Sequence, residues 1–489
     1  MNGMKATGSM LLALVMWPSL VAAQSSWQPL TNQPSFNASS AHLLTDGTVM
    51  VQRIESSDWY LLTPDAFGDY VNGTWTQLAS MSPDYGPLYY ASAVLADGRV
   101  VVEGGEYNIS GPAVWTNKGA IYNPVFNTWT TLAPPAGWAN IGDAQGTVLA
   151  DGTFLLASPS DTRIAVLDPL PLTYTNLNPP KDDRNDEEGW TLLPDGSVLT
   201  VDAIAAPLSQ RYIPSLNQWV SAGSTIVRLE DPGSQELGPA VLRPDGTVFA
   251  TGATGQNAIY DIASNTWLVG PDFPFVVGEG QYDVADGPAS LLPNGNVLVG
   301  ASPGIFQRPT HFFEFDGANL TQVADIPNGP TDSSYYGRML LLPTGQVLFT
   351  DGSGDIEVYT SDGVADPAWA PTIASAPADL QPGLSYPISG TQFNGLSQGA
   401  AYGDDAQSAT NYPLVRITNR ASGHVFYART HGHSTMGVAT GNAMVSTSFD
   451  VPASVELGVG DLVVVANGVP SASVTVTISA SAKLGTTWN

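Results

Sequence analysis

A short turn, in which Asp, Asn or Thr precedes Gly, returns seven times in this chain between two apolar runs, and it limits the fold more than any other feature. The copies include LLTDGTVMV (43–51), VLADGRVVV (94–102), LLPDGSVLT (192–200) and LLPTGQVLF (341–349). Their glycines, Gly47, Gly98, Gly152, Gly196, Gly246, Gly295 and Gly345, stand 44 to 54 residues apart. An Asp-Gly pair between strand-like runs reads as a β-hairpin, because glycine supplies the positive φ that a tight turn needs. One hairpin cannot bury its own apolar face. Seven copies at a period of about 50 residues therefore imply units packed side by side in a closed ring.

Composition narrows the chemistry. The 489 residues include no cysteine, which removes thiol nucleophiles, thiolate metal sites and disulfides. With 44 acidic and 16 basic residues the net charge is −28, so nucleic acid and anionic membrane surfaces are poor partners. Residues 1–23 read as a signal peptide: Lys5, an apolar run from Met10 to Ala23, and small residues at Val21-Ala22-Ala23. Secretion, extracellular or periplasmic, is expected, with a monomer as the mature form.

Each unit extends beyond its hairpin. A third strand follows, and in several units a Tyr-x6-Trp pair: Tyr122/Trp129, Tyr212/Trp219 and Tyr260/Trp267. The second unit adds a diglycine, Gly104-Gly105, where the next unit must approach closely. Hairpin, diglycine and Tyr-x6-Trp together resemble the kelch repeat, a four-stranded propeller blade. Trp27-x-x-Leu30 stands as a fourth strand with no unit before it, and the seventh unit lacks one, so the N-terminal strand is expected to close the last blade. Beyond a linker at 365–379, alternating segments such as PLVRITN, HVFYART and DLVVVANG suit a small antiparallel Ig-like sandwich over 380–489. The expected fold is all-β, with a seven-bladed kelch-type β-propeller over 24–364 and this sandwich after it.

That layout resembles galactose oxidase and glyoxal oxidase, the copper-radical oxidases. The resemblance is most specific in YYASAVLADGRVVVEGGEYN (89–108) and THGHSTMGV (430–438). It implies an axial copper held by two tyrosines and two histidines, one tyrosine crosslinked to cysteine. The crosslinked tyrosine maps to Tyr89, and the cysteine position holds Ala38. A Tyr-His pair maps to Tyr335-Tyr336, so the histidine is lost there. The second histidine, from a sandwich loop entering the channel, maps to His431 or His433, and the shielding indole maps to Tyr107. The residues left to hold copper are Tyr89, Tyr335, His431 and His433, without a Cys-Tyr radical cofactor; with Tyr336 in the place of the lost histidine the set becomes three tyrosines and one histidine, harder than Cu(II) prefers.

The repeat itself points to further residues. Eight or nine positions before each turn, where inner strands begin at the axis, stand Asn37, Tyr89, Asp143, Glu187, Glu236, Asp286 and Tyr335-Tyr336. Loops after the second strands add Arg53, Glu103, Glu106, Asp202 and Asp351. The expected catalytic set is His431, His433, Tyr89, Tyr335 and Tyr336. The expected substrate-binding set is Tyr107, Glu106, Asp143, Glu187 and Asp286, with Arg53 and Arg338 as its basic members. A carboxylate-rich mouth suits acid–base chemistry on a neutral or cationic glycan or other small polar substrate, and it also suits Ca²⁺, which takes several oxygens at once. A divergent copper oxidase of alcohols or aldehydes and a non-catalytic matrix-binding propeller are the alternatives.

Overall fold

A computed structural model describes residues 25–480 apart from 404, 406 and 407; the signal peptide expected at 1–23 lies outside the described residues. Seven antiparallel sheets surround one axis, six of four strands and the blade 6 sheet of five. Their innermost strands are Ala38–Leu43, Ala91–Val94, Gly146–Val148, Thr191–Leu192, Ala240–Leu242, Ala289–Leu291 and Arg338–Leu341, which number the blades 1 to 7. The second strands, such as Val49–Arg53 and Val100–Glu103, are almost wholly buried, because neighbouring blades cover both faces. Double coverage explains why the sequence there is continuously apolar rather than alternating.

The repeat residues have local jobs. The seven turn glycines hold φ between +77° and +88°, a region costly for any residue with a Cβ. In six of the seven turns the residue before the glycine accepts a hydrogen bond from the backbone N–H two positions on, as Asp97 does from Arg99 at 3.0 Å. The Tyr-x6-Trp pairs are directly opposed across the third and fourth strands, with ring centroids 5.1 to 5.3 Å apart. Each tyrosine hydroxyl donates to the turn asparagine between them, Asn127, Asn217 or Asn265, itself in the left-handed conformation. The indole N–H then reaches the preceding blade, from Trp129 to Ala79 O at 2.9 Å and from Trp267 to Ser209 Oγ at 2.8 Å. One aromatic pair thus ties a hairpin to its neighbour.

Closure follows the same logic. Ser26–Pro29 pairs with Glu357–Thr360 as the outer strand of blade 7, placing Trp27 opposite Tyr359. The Trp27 ring packs 4.8 Å from Phe312, and its N–H donates to Ala324 O at 2.7 Å in blade 6.

The C-terminal strands form one long sheet in the order Thr372–Ser375, Ser385–Thr391, Val445–Asp450, Val425–His431, Leu414–Asn419, Gly458–Ala466, Val474–Ile478, Asp379–Leu380, folded over a core of Leu380, Ile388, Ile417, Phe449 and Val464. The stretch 365–379, read as a linker, gives this sheet the strand Thr372–Ser375. The sandwich docks on the ends of the ring that carry the Asp-Gly turns: the N–H groups of Thr430, Gly432 and Met436 donate to Thr45 O, Ala96 O and Ala150 O.

From this sandwich the chain enters the axis as a finger, running up over 395–403 and back over 408–412. Ala400–Ala401 pairs with Ala289–Leu291 of blade 6. The Gln398 amide bridges the inner strands of blades 3 and 4, donating to Thr147 Oγ1 and accepting from Leu192 N–H, both at 2.8 Å. On the return, Ser408 Oγ donates to Ala41 O at 3.2 Å, and Tyr412 hydroxyl to Leu43 O. The ring is therefore filled from below and open only at the end opposite the turns.

Candidate active site

At that open end lies a cavity of about 450 Å³, within the usual range for small-molecule sites. Six carboxyl residues line it: Glu55, Glu106, Asp143, Glu187, Glu236 and Asp286. The rest of the wall is Leu88, Phe306 and four tyrosines, Tyr89, Tyr107, Tyr335 and Tyr336, with no Lys, Arg or His. Local backbone geometry turns these side chains inward. Glu55, Tyr89, Glu187, Asp286 and Phe306 all hold φ between +46° and +58°, and Gly142 and Gln235, just before Asp143 and Glu236, have φ of +63° and +72°. Left-handed non-glycine residues cost about 1–2 kcal/mol each, and such strain gathers where a site must be held in shape.

Glu187, Glu236 and Asp286 come together from blades 4, 5 and 6, with one oxygen of each within 4.8 Å of the others. Burial pushes the acidity of all three down, and repulsion from neighbouring carboxylates adds to it at Glu187 and Glu236. Glu236, 9% exposed, hydrogen-bonds both neighbours and is raised to about 12, so it holds a proton at neutral pH. Asp286 is raised only to about 6: burial lifts it, while the Glu236 hydrogen bond and the Arg338 charge pull it back. Asp143 and Glu106 are likewise raised by burial. Two carboxyl groups side by side with acidities pushed apart are the usual basis of an acid–base pair.

Arg338 is buried behind this wall and does not line it. Its guanidinium lies 3.5 Å from the Tyr402 ring and 5.4 Å from that of Tyr89, and it donates to Tyr335 O and Gly337 O. Tyr402, from the axial finger, donates to Tyr335 O at 2.8 Å. Asp405 at the fingertip is buried and adds its charge to the field on Arg338 and Tyr89.

Of the residues expected from sequence, the cavity gathers Tyr89, Tyr107, Tyr335, Tyr336, Glu106, Asp143, Glu187, Asp286 and Glu236. It does not gather the histidines. His431 closes the strand Val425–His431 with Nε2 3.0 Å from Asp450 Oδ1, and His433 Nδ1 is 2.9 Å from Thr447 Oγ1. Both sit beside Gly432, whose N–H binds Ala96 O at the turn end of the ring, remote from the mouth. Burial pushes His433 down to about 3, leaving it neutral. The segments that enter the channel are 395–403 and 408–412, which contain no histidine. Arg53 is exposed and pairs with Asp58 at 3.5 Å, outside the cavity. Asn37 is exposed at the ring surface. Glu103 is buried and accepts from Tyr174 hydroxyl, and Asp351 accepts from Asn328. Glu55, Phe306, Tyr402 and Asp405 belong to the site or its support without having been singled out for it.

Copper does not fit the residues present. Tyr89 and Tyr335 share the wall, but neither histidine accompanies them, and Ala38 provides no sulfur. Burial raises both phenols well above their ordinary range, and the fixed Arg338 cation beside Tyr89 opposes a second positive charge. The carboxyl trio is a donor set of the hard type that Ca²⁺ takes.

A second carboxyl trio, Asp183, Glu188 and Asp202, lies in blade 4 and is already occupied by a side chain. The buried Lys181 ammonium is 2.5 Å from Asp183, 2.7 Å from Glu188 and 3.7 Å from Asp202.

No protein-family model matches the chain. It is 25% identical over 279 residues to a kelch-like protein, terF, of Aspergillus terreus, covering 47% of this chain and 54% of that protein, so it spans about half the length of that relative. In structure it is similar to a fungal alcohol oxidase of the AA5 family solved in complex with copper, with a TM-score of 0.53, 13% identity, and coverage of 94% of this chain and 100% of that one. Hairpin period, N-terminal closure, docked sandwich and these likenesses agree on the fold: a seven-bladed propeller of kelch-like blades followed by a β-sandwich, similar in architecture to that oxidase.

Proposed function

We propose that this protein binds a carbohydrate or other small polar substrate in the axial cavity and transforms it by carboxyl-based acid–base chemistry without a radical. The observation that carries this reading is the Glu187–Glu236–Asp286 trio, in which one carboxyl holds its proton while a neighbour ionises near pH 6. Glu236 is the proton donor and Asp286 the acceptor. Glycosidic bond cleavage uses one group of each kind. Tyr89, Tyr107, Tyr335 and Tyr336 supply flat faces and hydroxyls to the walls. Secretion belongs to the same reading and rests on the composition of residues 1–23.

The test is a product screen by mass spectrometry over neutral and amino-sugar oligosaccharides. Cleavage is expected with the native protein. It should fall at least about 100-fold in Glu236→Gln and in Asp286→Asn, and it should survive replacement of His431 and His433 by alanine. Peroxide release from alcohols or aldehydes, or equal rates in the carboxyl variants, would overturn it.

A further inference from the structure

Two carboxyl trios each bring three oxygens within 4.8 Å of one another, and among the described residues one of them holds a side-chain cation. Within blade 4, Asp183, Glu188 and Asp202 surround the Lys181 ammonium. Glu187, the next residue back from Glu188, turns the opposite way and joins Glu236 and Asp286 at the open cavity. No basic side chain lines that cavity. A separate observation shows that the cavity is short of a donor. Asp143, 9% exposed and from blade 3, lines the same space, and its Oδ1 has no hydrogen-bond partner. Glu236 Oε2 is likewise without one. Buried carboxylate oxygens without donors cost about 1–3 kcal/mol or more, so they mark a place built for a ligand that brings donors.

We infer that the axial cavity seats the protonated primary amine of an organic substrate among Glu187, Glu236 and Asp286. This rests on the reading of that cavity as the ligand site and adds the chemical class of its ligand. An ammonium has three N–H donors and no acceptor, which matches a trio of oxygens. Charge-assisted contacts of about 2.8 Å in tetrahedral directions set three oxygens about 4.6 Å apart, which is compatible with three oxygens that all lie within 4.8 Å of one another. The remaining walls suit the carbon skeleton that carries the amine. Tyr335 and Tyr336 stack 4.1 Å apart, Phe306 meets Tyr335 at 4.9 Å, and Tyr107 meets Tyr89 at 6.2 Å. Aromatic faces beside carboxylates hold organic cations, whereas a bare metal ion gains little from them and would leave most of the 450 Å³ unfilled.

The experiment is isothermal titration of the whole protein with three probes: the glucosamine disaccharide, its fully N-acetylated form, and 1,4-diaminobutane. Binding is expected for both amines, with at least about a 30-fold loss on N-acetylation and a similar loss in Glu187→Gln. Repeating the titration in buffers of different ionisation heat should show protons released on binding, because an ammonium forces the trio to ionise. That readout needs no variant to fold. Equal affinity for the N-acetylated sugar would overturn the ammonium seat while leaving the glycan reading standing. Binding of diaminobutane alone would keep the seat and sink the glycan reading. If Ca²⁺ binds and neither amine does, or if amines bind without proton release, the seat is wrong.

Discussion

Glu187 and Glu188 are adjacent in the chain, yet one faces a lysine and the other an open cavity. Lys181 is the cation shared by three buried carboxyl groups, and removing it strands them. Lys181→Met should therefore cost about 3–5 kcal/mol, the usual penalty for breaking a buried ion pair on one side, measured as a lower urea midpoint. At the mouth the same crowding is left unneutralised, and its consequence is kinetic. In the proposed reaction Asp286 ionises and Glu236 keeps its proton, so the acidic limb of that activity should rise through about pH 6. Burial and the Glu106 charge raise Asp286, while the Glu236 hydrogen bond and Arg338 oppose them. Replacing Arg338 by Met should move that limb to higher pH, because the cation that favours ionised Asp286 is gone.

At the scale of single elements, the sequence showed whatever the repeat obliges every blade to repeat. Tyr89, Asp143, Glu187 and Asp286 each precede a turn glycine by nine positions, and the ring brings these positions to one mouth. The closing strand was legible because Trp27 had no blade of its own; Trp27→Ala should destabilise the ring by about 3 kcal/mol and expose blade 7 to limited proteolysis. Glu55 and Phe306 escaped notice because they sit in loops whose left-handed bends have no repeated residue type. His431 and His433 were misplaced for a different reason. The resemblance implied a sandwich loop in the channel, but the connection that enters runs over 395–403 and 408–412, fixed by Gln398 and by the pairing of Ala400–Ala401. Only contacts distant in sequence decide which loop enters.

Across the whole molecule, protons held by the folded state tie stability to pH. Burial raises Asp202 to about 7, Asp283 to about 8, Asp332 to about 7 and Glu357 to about 8, against about 4 in an unfolded chain. The folded form therefore binds more protons than the unfolded form between about pH 4 and 8, and stability must fall as pH rises through that window. The melting temperature should be higher at pH 5 than at pH 8. The central claim, however, is narrower: carboxyl groups at the axial mouth share protons at neutral pH, and that arrangement, rather than a copper centre, is the working site. Infrared difference spectroscopy at pH 7 between the native protein and Glu236→Gln tests it without any ligand. The account predicts a protonated-carboxyl stretch in the native protein that is absent from the variant; a difference spectrum showing only the loss of an ionised carboxylate would contradict it.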